Sequence, residues 1–416
     1  MSDIIIVGGG AAGLLAGVIA SEKGCNVTII EKNEKLGKKL FITGKGRCNV
    51  TNACDTDQLF SNIVTNSKFM YSSIYAFNNY QVMDLIEQLG CPLKIERGDR
   101  VFPVSDKSSD VIKAFENRLK KNKVKILLNT KVISIEVKDG SFSKVIVSDK
   151  NGKRISVSGD RCIVATGGLS YKSTGSTGDG YTFAQRMGHK ITDPMPGLVP
   201  FNIKGNECKE LMGLSLKNVN VKVCVDNKTI GEEFGEMLFT HFGMSGPCIL
   251  TLSSMISGKD LGKKIQVIID LKPALNHEQL ENRIIRDFEV NKNKHLINGL
   301  DKLLPKSLIP IIIKRTGISE NKPINAITKK DRDVLVHTLK NLSFDFASFR
   351  DINEAIITKG GINVKEINPK TMESKLISGI YFAGEVLDVD GFTGGFNLQI
   401  AWSSAYSAAI AASTDW

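Results

Sequence analysis

The chain has 416 residues, of which 42% are hydrophobic and 24% charged, so it is long enough for two or three globular domains. Its eight cysteines are scattered, without a CxxC pair or a metal-like spacing to histidine, which argues against disulfides, zinc and iron–sulfur clusters. We therefore expect no metal. The formal net charge of +11 comes mostly from lysines spread along the chain.

The charge pattern and the first residues give expectations about partners and location. Few aromatic residues are interleaved with the lysines, so we interpret the charge as a solvated surface and expect no nucleic-acid partner. No apolar run approaches the roughly 18 residues that span a membrane, and the chain enters a predicted strand directly, without a signal peptide. These features predict a cytoplasmic protein with a small-molecule substrate and no membrane partner, and they leave its oligomeric state open.

Residues 4–31 have the pattern of a dinucleotide-binding βαβ unit. A β-branched strand runs into three consecutive glycines, an apolar helix is predicted over 11–22, and a second strand over 26–30 ends in Glu31. The alternative is an ordinary glycine-rich turn between a strand and a helix. The order of all four parts favours the nucleotide site.

Each key residue of this unit has a physical role. Gly8 allows a tight turn, Gly10 lets the backbone approach a pyrophosphate, and Gly13 allows the helix to pack closely on the strand. The start of the helix offers free N–H groups and a positive dipole end to the diphosphate. Glu31 lies where a carboxylate would accept a hydrogen bond from a ribose hydroxyl.

The loop over 35–52 is rich in glycine, lysine and asparagine and has no core periodicity. It supplies hydrogen-bond donors at Arg47, Asn49, Thr51 and Asn52, which suit a phosphate, a ribityl chain or the carbonyl edge of a flavin. The alternative is a polar surface loop without a ligand.

Residues 124–165 predict antiparallel strands, because Asp139-Gly140 and Asn151-Gly152 are strong hairpin signals. This meander leads into a buried strand over 162–165, which ends in Thr166-Gly167-Gly168. A βαβ unit followed by a meander and such a strand is typical of an FAD domain of the glutathione-reductase type.

After Pro194 the pattern changes to alternating strands, for instance over 219–225, and then to helix-like residues with charged faces from 276. Strand and helix patterns typical of the cofactor domain return at 379–383 and 395–412. We predict an FAD-binding domain over 1–190 plus 346–416, an inserted β-rich, barrel-like domain over 191–273 and a helical subdomain over 274–345.

The C-terminal segment carries a second glycine-rich motif. Gly384 and Glu385 end a strand, which places an acidic residue near the ribityl chain, and Gly394 and Gly395 begin the last helix. A helix N-terminus under the N1–C2=O edge of a flavin stabilises the negative charge of the reduced ring. The alternative is a capped terminal helix with no ligand.

Four motifs together resemble the BaiN-like (HI0933-like) family of bacterial flavoproteins, also described as aminoacetone oxidase-like NAD(P)/FAD-dependent oxidoreductases. They are GKGRCNVTN at 44–52, ATGG at 165–168, FTHFGMSGP at 239–247 and FAGEVLDVDGFTGGFNLQ at 382–399. The resemblance covers nearly the whole chain, with Phe392 and Phe396 standing where many relatives have Pro and Tyr.

The resemblance implies an α/β fold in which a glutathione-reductase-type Rossmann FAD-binding domain carries an inserted β-barrel and a small helical subdomain. It implies FAD as cofactor and NAD(P)H as a candidate electron donor. Motifs and resemblance together predict cofactor binding at Gly8, Gly10, Ala11, Ala12, Gly13, Glu31, Lys32, Lys39, Gly44, Arg47, Cys48, Asn49, Thr51, Asn52, Val132, Ala165, Thr166, Gly167, Gly384, Glu385, Gly394, Gly395, Asn397 and Leu398.

The segment Thr177-Gly178-Asp179-Gly180 is similar to an element of fumarate-reductase-type flavoproteins, which pass hydride from flavin N5 to an activated C=C bond. The alternative is a simple helix-entry turn.

Two residues are candidate proton donors. His241 is the only histidine inside a motif, and Tyr171 follows the glycines at the end of the buried strand. A structural histidine bonded to backbone is the alternative for His241. We expect the insert to cover the flavin and hold the substrate, since ligand sites commonly lie between domains.

The leading hypothesis is an FAD-dependent oxidoreductase that transfers hydride from flavin N5 to an activated C=C or C=O bond of a small organic or steroid-like substrate. The family example that the resemblance implies is a 3-dehydro-bile acid delta(4,6)-reductase. No second GxGxxG follows a strand, so a separate NAD(P)H domain is not predicted. The alternatives are a flavin-dependent tRNA-modifying protein and a non-catalytic flavin-binding redox sensor.

Overall fold

The computed structural model describes residues 2–414, and the chain divides into two compact units. The first unit comprises residues 1–197 with 351–416, and the second comprises residues 198–350. The predicted domain boundaries at 190/191, 273/274 and 345/346 stay predictions beside this division.

The strands, in chain order, are β1 (Asp3–Val7), β2 (Asn26–Ile30), β3 (Thr51–Asn52), β4 (Ile63–Thr65), β5 (Leu93–Glu96), β6 (Arg100–Pro103), β7 (Lys125–Leu127), β8 (Lys131–Lys138), β9 (Ser141–Ser148), β10 (Arg154–Ser158), β11 (Arg161–Val164), β12 (Ile191–Gly197), β13 (Phe201–Ile203), β14 (Ser215–Val225), β15 (Lys228–Phe239), β16 (Gly243–Ser245), β17 (Ile265–Asp270), β18 (Leu342–Phe349), β19 (Ile357–Ile362), β20 (Ile380–Phe382) and β21 (Asp390–Gly391). The helices are α1 (Ala11–Glu22), α2 (Lys38–Ile42), α3 (Thr56–Ser61), α4 (Tyr71–Ala76), α5 (Asn79–Gln88), α6 (Ser108–Lys121), α7 (Asp179–Arg186), α8 (Glu207–Glu210), α9 (Pro247–Ser253), α10 (His277–Val290), α11 (Ile309–Thr316), α12 (Lys329–Lys340) and α13 (Phe396–Ala412).

The first unit is built on a parallel five-stranded sheet in the order β20-β11-β1-β2-β7. Residues 4–7 of β1 are apolar and buried because the strand lies in the middle of the sheet, where both faces are covered. The carboxyl ends of β1, β2 and β11 lie side by side, since Val7 is in register with both Ile30 and Val164. This is the edge at which open α/β folds bind ligands.

One strand of this sheet was predicted differently. The sequence predicts antiparallel strands over 124–165, but β7 pairs with β2 in parallel and extends the main sheet. The meander begins only at β8, and it forms an antiparallel sheet in the order β10-β9-β8. Asp139 and Gly140 both have positive φ between β8 and β9, as the predicted two-residue hairpin turn requires.

Helices α1 and α13 pack against each other and are apolar on nearly all sides. A helix of that kind lies within a protein core rather than at its surface. The indole N–H of the fully buried Trp402 on α13 donates to the carbonyl of Val50 at 2.9 Å, and its ring stacks on Phe115 with centroids 5.5 Å apart. The C-terminal helix is thereby joined to the loop that precedes β3.

The second unit contains a closed antiparallel barrel in the order β13-β16-β15-β14-β17-β18. Alternate residues of β14, such as Val219, Val221 and Val223, are buried in its core, which is the period-two pattern seen in the sequence. The predicted turn at Asp226 and Asn227 joins β14 to β15. The predicted fold class, with a barrel inserted into a Rossmann-type domain, is confirmed.

The barrel closes with a strand that the sequence reading missed. Helices α10, α11 and α12 lie between β17 and β18 in the chain, so the helical segment interrupts the barrel instead of following it. Residues 342–345 had been assigned to the helical segment. The signal was present, because Leu342, Phe344 and Phe346 alternate with less buried residues and lie in the barrel core.

Within the described residues, no helix has both the length and the apolar character that crossing a bilayer requires.

Replacing Trp402 with Phe should lower the free energy of unfolding by about 1–3 kcal/mol, because the carbonyl of Val50 loses its donor in a buried place. The matched control is Tyr80→Phe. The side chain of Tyr80 is half exposed, so its variant should change stability by less than about 0.5 kcal/mol. Urea unfolding followed by circular dichroism measures both, and equal effects would contradict the role given to the indole N–H.

Candidate functional site

The three glycines of the first motif have different surroundings. Gly8 has φ +106°, and a Cβ there would lie 2.5 Å from the carbonyl oxygen of Ala165 at the end of β11. A Cβ on Gly13 would lie 1.9 Å from the carbonyl oxygen of Gly8, whereas a Cβ on Gly10 would meet nothing within 4 Å. Gly8 and Gly13 are therefore needed for packing, while Gly10 leaves open space at the N-terminus of α1.

Glu31 joins the glycine turn to the end of β2. Its side chain is 8% exposed, and its Oε2 accepts from the backbone N–H of Gly9 at 2.8 Å. Its Oε1 accepts from the backbone N–H of Asn33 at 2.8 Å and from the amide group of Asn33 at 2.7 Å. Because a carboxylate can accept about four hydrogen bonds, this group keeps capacity for a ribose hydroxyl.

The loop of the second motif meets the C-terminal glycines. A Cβ on Gly395, which has φ +105° and precedes α13, would lie 2.3 Å from the backbone of Thr51. The amide of Asn52 donates to the carbonyl of Gly394 at 3.0 Å, and the hydroxyl of Thr51 donates to Gln399 at 2.6 Å. Two segments more than 340 residues apart in the chain thus form one structure.

The N-terminal turn of α1 and the second turn of α13 both lie against the residues that follow β20. A Cβ on Gly384 would lie 3.0 Å from Cβ of Ala12 and 3.7 Å from Cβ of Ala401. The N–H of Gly384 donates to the hydroxyl of Ser404 at 2.9 Å. Ala11 and Ala12 are small residues in the first turn of α1, and the small Ala12 lets this turn pack closely against Gly384.

Lys39 and Glu385 form an ion pair at the same end of the sheet. Nζ of Lys39 lies 2.5 Å from Oε2 of Glu385, and Oε1 of Glu385 accepts from the N–H of Thr358 at 2.9 Å and from the hydroxyl of Ser170 at 3.2 Å. Lys39 also donates to Ser170 at 2.7 Å. The network fixes the carboxylate of Glu385 at this end of the sheet, and its contact with a ribityl chain stays a prediction.

Tyr171 lies next to this network. Its ring centroid is 6.0 Å from Nζ of Lys39, and burial raises the pKa of the phenol. Tyr171 therefore stays protonated at neutral pH, which is the form that a proton donor needs.

Two predicted binding residues have buried oxygen atoms without a partner among the described residues. They are Oδ1 of Asn49 and Oγ1 of Thr166. A buried polar atom without a hydrogen bond costs free energy, so native chains usually satisfy it with a partner, a water or a ligand. These atoms, the open space at Gly10 and the acceptor capacity of Glu31 together fit FAD.

Arg47 has partners that the sequence did not reveal. Its guanidinium lies 2.5 Å from carboxylate oxygens of both Glu96 and Asp106 and 4.1 Å from the ring centroid of Phe102. These contacts hold the loop to β5 and to the turn after β6. The role of Arg47 as a phosphate donor stays a prediction.

Lys32 and Cys48 are likewise engaged within the protein. Nζ of Lys32 lies 2.7 Å from Oδ2 of Asp179, in the element that is similar to fumarate-reductase-type proteins. Cys48 is fully buried, and burial raises the pKa of its thiol to about 12, so it is a protonated thiol at neutral pH. Direct contact of either side chain with a cofactor stays a prediction.

The other predicted positions are structural neighbours of these groups. Asn397 braces the loop before α13, since its amide donates to the carbonyl of Gly391 at 2.7 Å and accepts from its N–H at 3.0 Å. The remaining four are Val132, buried in β8; Leu398, packed on the core; Gly167, beside Ser176; and Gly44, in the loop before Asn49.

His241 belongs to the second unit. It is exposed in the turn between β15 and β16, with its ring 5.0 Å from that of Phe242. Thr240 closes the turn, because its N–H donates to the carbonyl of Gly243 at 2.9 Å and its hydroxyl accepts from the N–H of Gly243 at 3.1 Å. An exposed ring in a tight turn suits a residue that meets a ligand, and its catalytic role stays a prediction.

Sequence reasoning missed Thr358 and Ser170, which complete the network around Glu385. The hydroxyl of Thr358 accepts from the N–H groups of Leu169 and Ser170 at 2.7 and 3.0 Å. No local pattern marks these residues, because the contacts join segments almost 190 residues apart. The Asp388-Val389-Asp390 stretch lies within the motif at 382–399, and the burial of both its aspartates is visible only in the structure.

Gly10→Ala and Gly13→Ala form a matched pair that separates binding from packing. Gly13→Ala should lower the free energy of unfolding by about 1–3 kcal/mol, since its methyl group meets the backbone of Gly8. Gly10→Ala should cost less than about 1 kcal/mol but weaken FAD binding by roughly tenfold or more, because the methyl group enters the path of the pyrophosphate. Thermal unfolding and FAD titration measure the two effects, and normal FAD affinity in Gly10→Ala would contradict the predicted path.

Comparison with known proteins agrees with this geometry. The family model of the HI0933-like protein Rossmann domain matches residues 2–411. The 3-dehydro-bile acid delta(4,6)-reductase of Clostridium scindens is 31% identical over 415 residues, which cover 99% of each chain. The ribosomal RNA dihydrouridine synthase of Haemophilus influenzae is 32% identical over 415 residues, 99% of this chain and 98% of the relative. The enzyme of the same name from Escherichia coli is 29% identical over 408 residues, 98% and 97% of the two chains.

Solved structures share the fold at low sequence identity. A 3-ketosteroid delta1-dehydrogenase from Sterolibacterium denitrificans superimposes with a TM-score of 0.55 at 12% identity, covering 99% of both chains. A 3-ketosteroid-delta4-(5alpha)-dehydrogenase from Rhodococcus jostii gives 0.52 at 13% identity, covering 100% of this chain and 97% of that one. Since the family model spans almost the whole chain and relatives above 30% identity align along its full length, the protein belongs to the HI0933-like family of oxidoreductases, with its Rossmann-type FAD-binding fold.

Proposed function

We propose that this protein is an FAD-dependent reductase that adds hydrogen across a carbon–carbon double bond conjugated to a carbonyl group. The names of its relatives support this reaction class, since a delta(4,6)-reductase of a 3-oxo bile acid and a dihydrouridine synthase both describe reduction of such a bond. Bound FAD would supply the two-electron carrier that delivers hydride from N5.

The cofactor assignment rests mainly on one observation. The N-termini of α1 and α13, each preceded by a glycine, lie near the carboxyl end of β20. Gly10 leaves open space before α1, Gly395 precedes α13, and Gly384 packs between Ala12 and Ala401 of these helices. The N-terminus of α1 offers N–H groups to a diphosphate, with Glu31 beside it for a ribose hydroxyl. The N-terminus of α13 would stabilise negative charge on a reduced ring.

The reaction also needs a proton, which one of two residues would give to the carbon next to the carbonyl. Tyr171 is a protonated phenol beside Lys39, and His241 is an exposed imidazole in the second unit. We propose His241 as the donor and Tyr171 as the alternative. NADH or NADPH would act as the reductant, in turn with the substrate, because no separate nucleotide motif follows a second strand.

A small steroid-like enone is the substrate class that we propose from the bile-acid relative. A second candidate is a uridine of ribosomal RNA, favoured by two relatives at 29% and 32% identity and by the net charge of +11. The RNA named for those relatives is ribosomal, not transfer RNA. Our expectation that no nucleic acid is bound stays a prediction beside this candidate. A redox sensor without turnover remains the third hypothesis.

A stepwise anaerobic experiment tests the reaction class and the substrate. We expect NADH or NADPH to bleach the flavin absorbance, and a conjugated acceptor to restore it with gain of two hydrogens in the product. A 3-oxo-4,6-diene bile acid and ribosomal RNA lacking dihydrouridine are tested separately, with the buffer alone as control. Mass spectrometry identifies the product.

Each outcome of this experiment has a clear meaning. Reoxidation by the bile acid alone supports the small-molecule class, and reoxidation by RNA alone replaces it with the second candidate. A reduced flavin that neither acceptor reoxidises would contradict the proposed substrates, and recovery of protein that binds no FAD would overturn the assignment as a whole.

His241→Ala and Tyr171→Phe separate the two proton donors. If His241 gives the proton, His241→Ala should keep FAD and its reduction but slow reoxidation by substrate by roughly a hundredfold or more. Tyr171→Phe should then reoxidise at nearly the wild-type rate. Stopped-flow spectroscopy measures both half-reactions. The reverse pattern would make Tyr171 the donor, and loss of FAD from His241→Ala would place the histidine against the cofactor.

A further inference from the structure

Two buried aspartates lie in the loop that joins the two C-terminal glycine motifs. Asp388 is 8% exposed and Asp390 is 1% exposed. Oδ2 of Asp388 accepts from the hydroxyl of Thr192 at 2.7 Å. Neither carboxyl oxygen of Asp390 has a hydrogen-bond partner among the described residues. Asp390 is therefore the acidic group of this region that the protein itself leaves unsatisfied.

Burial favours the neutral form of Asp390. Burial is the main cause of a raised pKa for Asp390, and the charge of Asp388 adds to the effect. Lys359 on β19 and the hydroxyl of Thr65 on β4 lower the pKa of Asp390, but by less than burial raises it. The pKa of Asp388 is also raised by burial, and the nearby Tyr181 is a neutral phenol whose pKa is raised by burial.

β4 and the first turn of α13 bring no acidic group to Asp390. The residues of β4 are Ile63, Val64 and Thr65, and the first turn of α13 has no acidic residue. Burial disfavours an anion whose carboxylate oxygens have few partners. The neutral acid loses less solvation free energy on burial than the anion does. It carries one O–H donor, which needs an acceptor.

The backbone around Asp390 is held on both sides. β21 pairs with β4, with Asp390 in register with Thr65. The side-chain amide of Asn397 accepts a hydrogen bond from the N–H of Gly391 and donates one to its carbonyl. The side-chain amide of Asn52 donates to the carbonyl of Gly394. The carboxyl group thus belongs to a rigid segment that ends in the glycine pair at the start of α13.

A flavin ring at the start of α13 would present acceptors to this segment. N1, N5 and the two carbonyl oxygens of its pyrimidine half accept hydrogen bonds, whereas an ionised carboxylate would repel them. The unsatisfied donor and the expected acceptors are complementary.

We infer that Asp390 is a neutral carboxylic acid that donates its O–H to an acceptor of the bound flavin ring and makes cofactor affinity depend on pH. The inference rests on the FAD site proposed above. The neutral acid binds and the anion does not, so FAD affinity is greatest at low pH. It falls as the pH rises through the raised pKa of Asp390.

Three variants test the donor. Asp390→Asn keeps a donor, since its amide carries N–H groups, and it should hold FAD with an affinity that no longer falls with pH. Asp390→Leu has a similar size without a donor and should bind FAD roughly threefold to tenfold more weakly, the range for one hydrogen bond. Asp388→Asn is the control. It should keep an affinity that falls with rising pH, with the fall moved toward lower pH, because the charge of Asp388 contributes to the raised pKa of Asp390.

Affinity is measured on the FAD-loaded proteins by dilution at a series of pH values, with the fluorescence of released FAD as the signal. A wild-type affinity that does not change with pH would overturn the inference, and so would an Asp390→Asn variant that follows the wild-type curve. Wild-type protein that holds no FAD at any pH would instead overturn the proposed FAD site.

Infrared spectroscopy gives a second readout that does not depend on activity. The C=O stretch of a protonated carboxyl group should disappear from the wild-type spectrum over the pH range in which FAD affinity falls. Asp388→Asn should retain this pH-dependent band and Asp390→Asn should lack it. If Asp390→Asn does not fold, the wild-type and Asp388→Asn spectra still show whether the protein holds a buried neutral carboxyl group. Absence of the protonated band from both would refute the neutral acid.

Discussion

The close approach of backbones at glycine is the constraint on which the candidate site depends. Gly13 lies against Gly8, Gly8 against Ala165, and Gly395 against Thr51, each with no room for a side chain. These contacts bring the carboxyl ends of β1 and β11, the start of α1 and the start of α13 into one region. The free energy for holding them comes from the apolar core around α1 and α13, in which Trp402 is fully buried.

The charged side chains of the first unit mostly pair with one another. Lys39 is neutralised by Glu385, Lys32 by Asp179, and Arg47 by Glu96 and Asp106. A diphosphate at this site would therefore be held chiefly by helix N–H groups and the helix dipole instead of by free cations. The ion pairs have a different role, since each joins segments distant in the chain. Asp390 is the exception, since neither of its carboxyl oxygens has a hydrogen-bond partner among the described residues.

The local parts of the fold were predictable because each depends on its own residues. The βαβ unit at 4–31 follows from a β-branched run, glycines and an apolar helix, and its bounds match α1 and β2. The hairpin at Asp139-Gly140 and the turn at Asp226-Asn227 follow from residues that tolerate positive φ. The errors concern pairing over long distances. β7 joined the parallel sheet and β18 closed the barrel, since a short strand carries no mark of its partner.

The sequence by itself determined the glycine motifs, the acidic residue at the end of β2 and the family of FAD-binding oxidoreductases that the chain resembles. These features are readable because the turn, the helix start and the ribose contact each need particular residue types at short spacing. Only the tertiary structure decided that Arg47 and Lys32 are paired, that Thr358 and Ser170 hold Glu385, and that Asp390 is buried without a partner. Those properties depend on burial and on contacts between segments hundreds of residues apart, which no local pattern in the chain encodes.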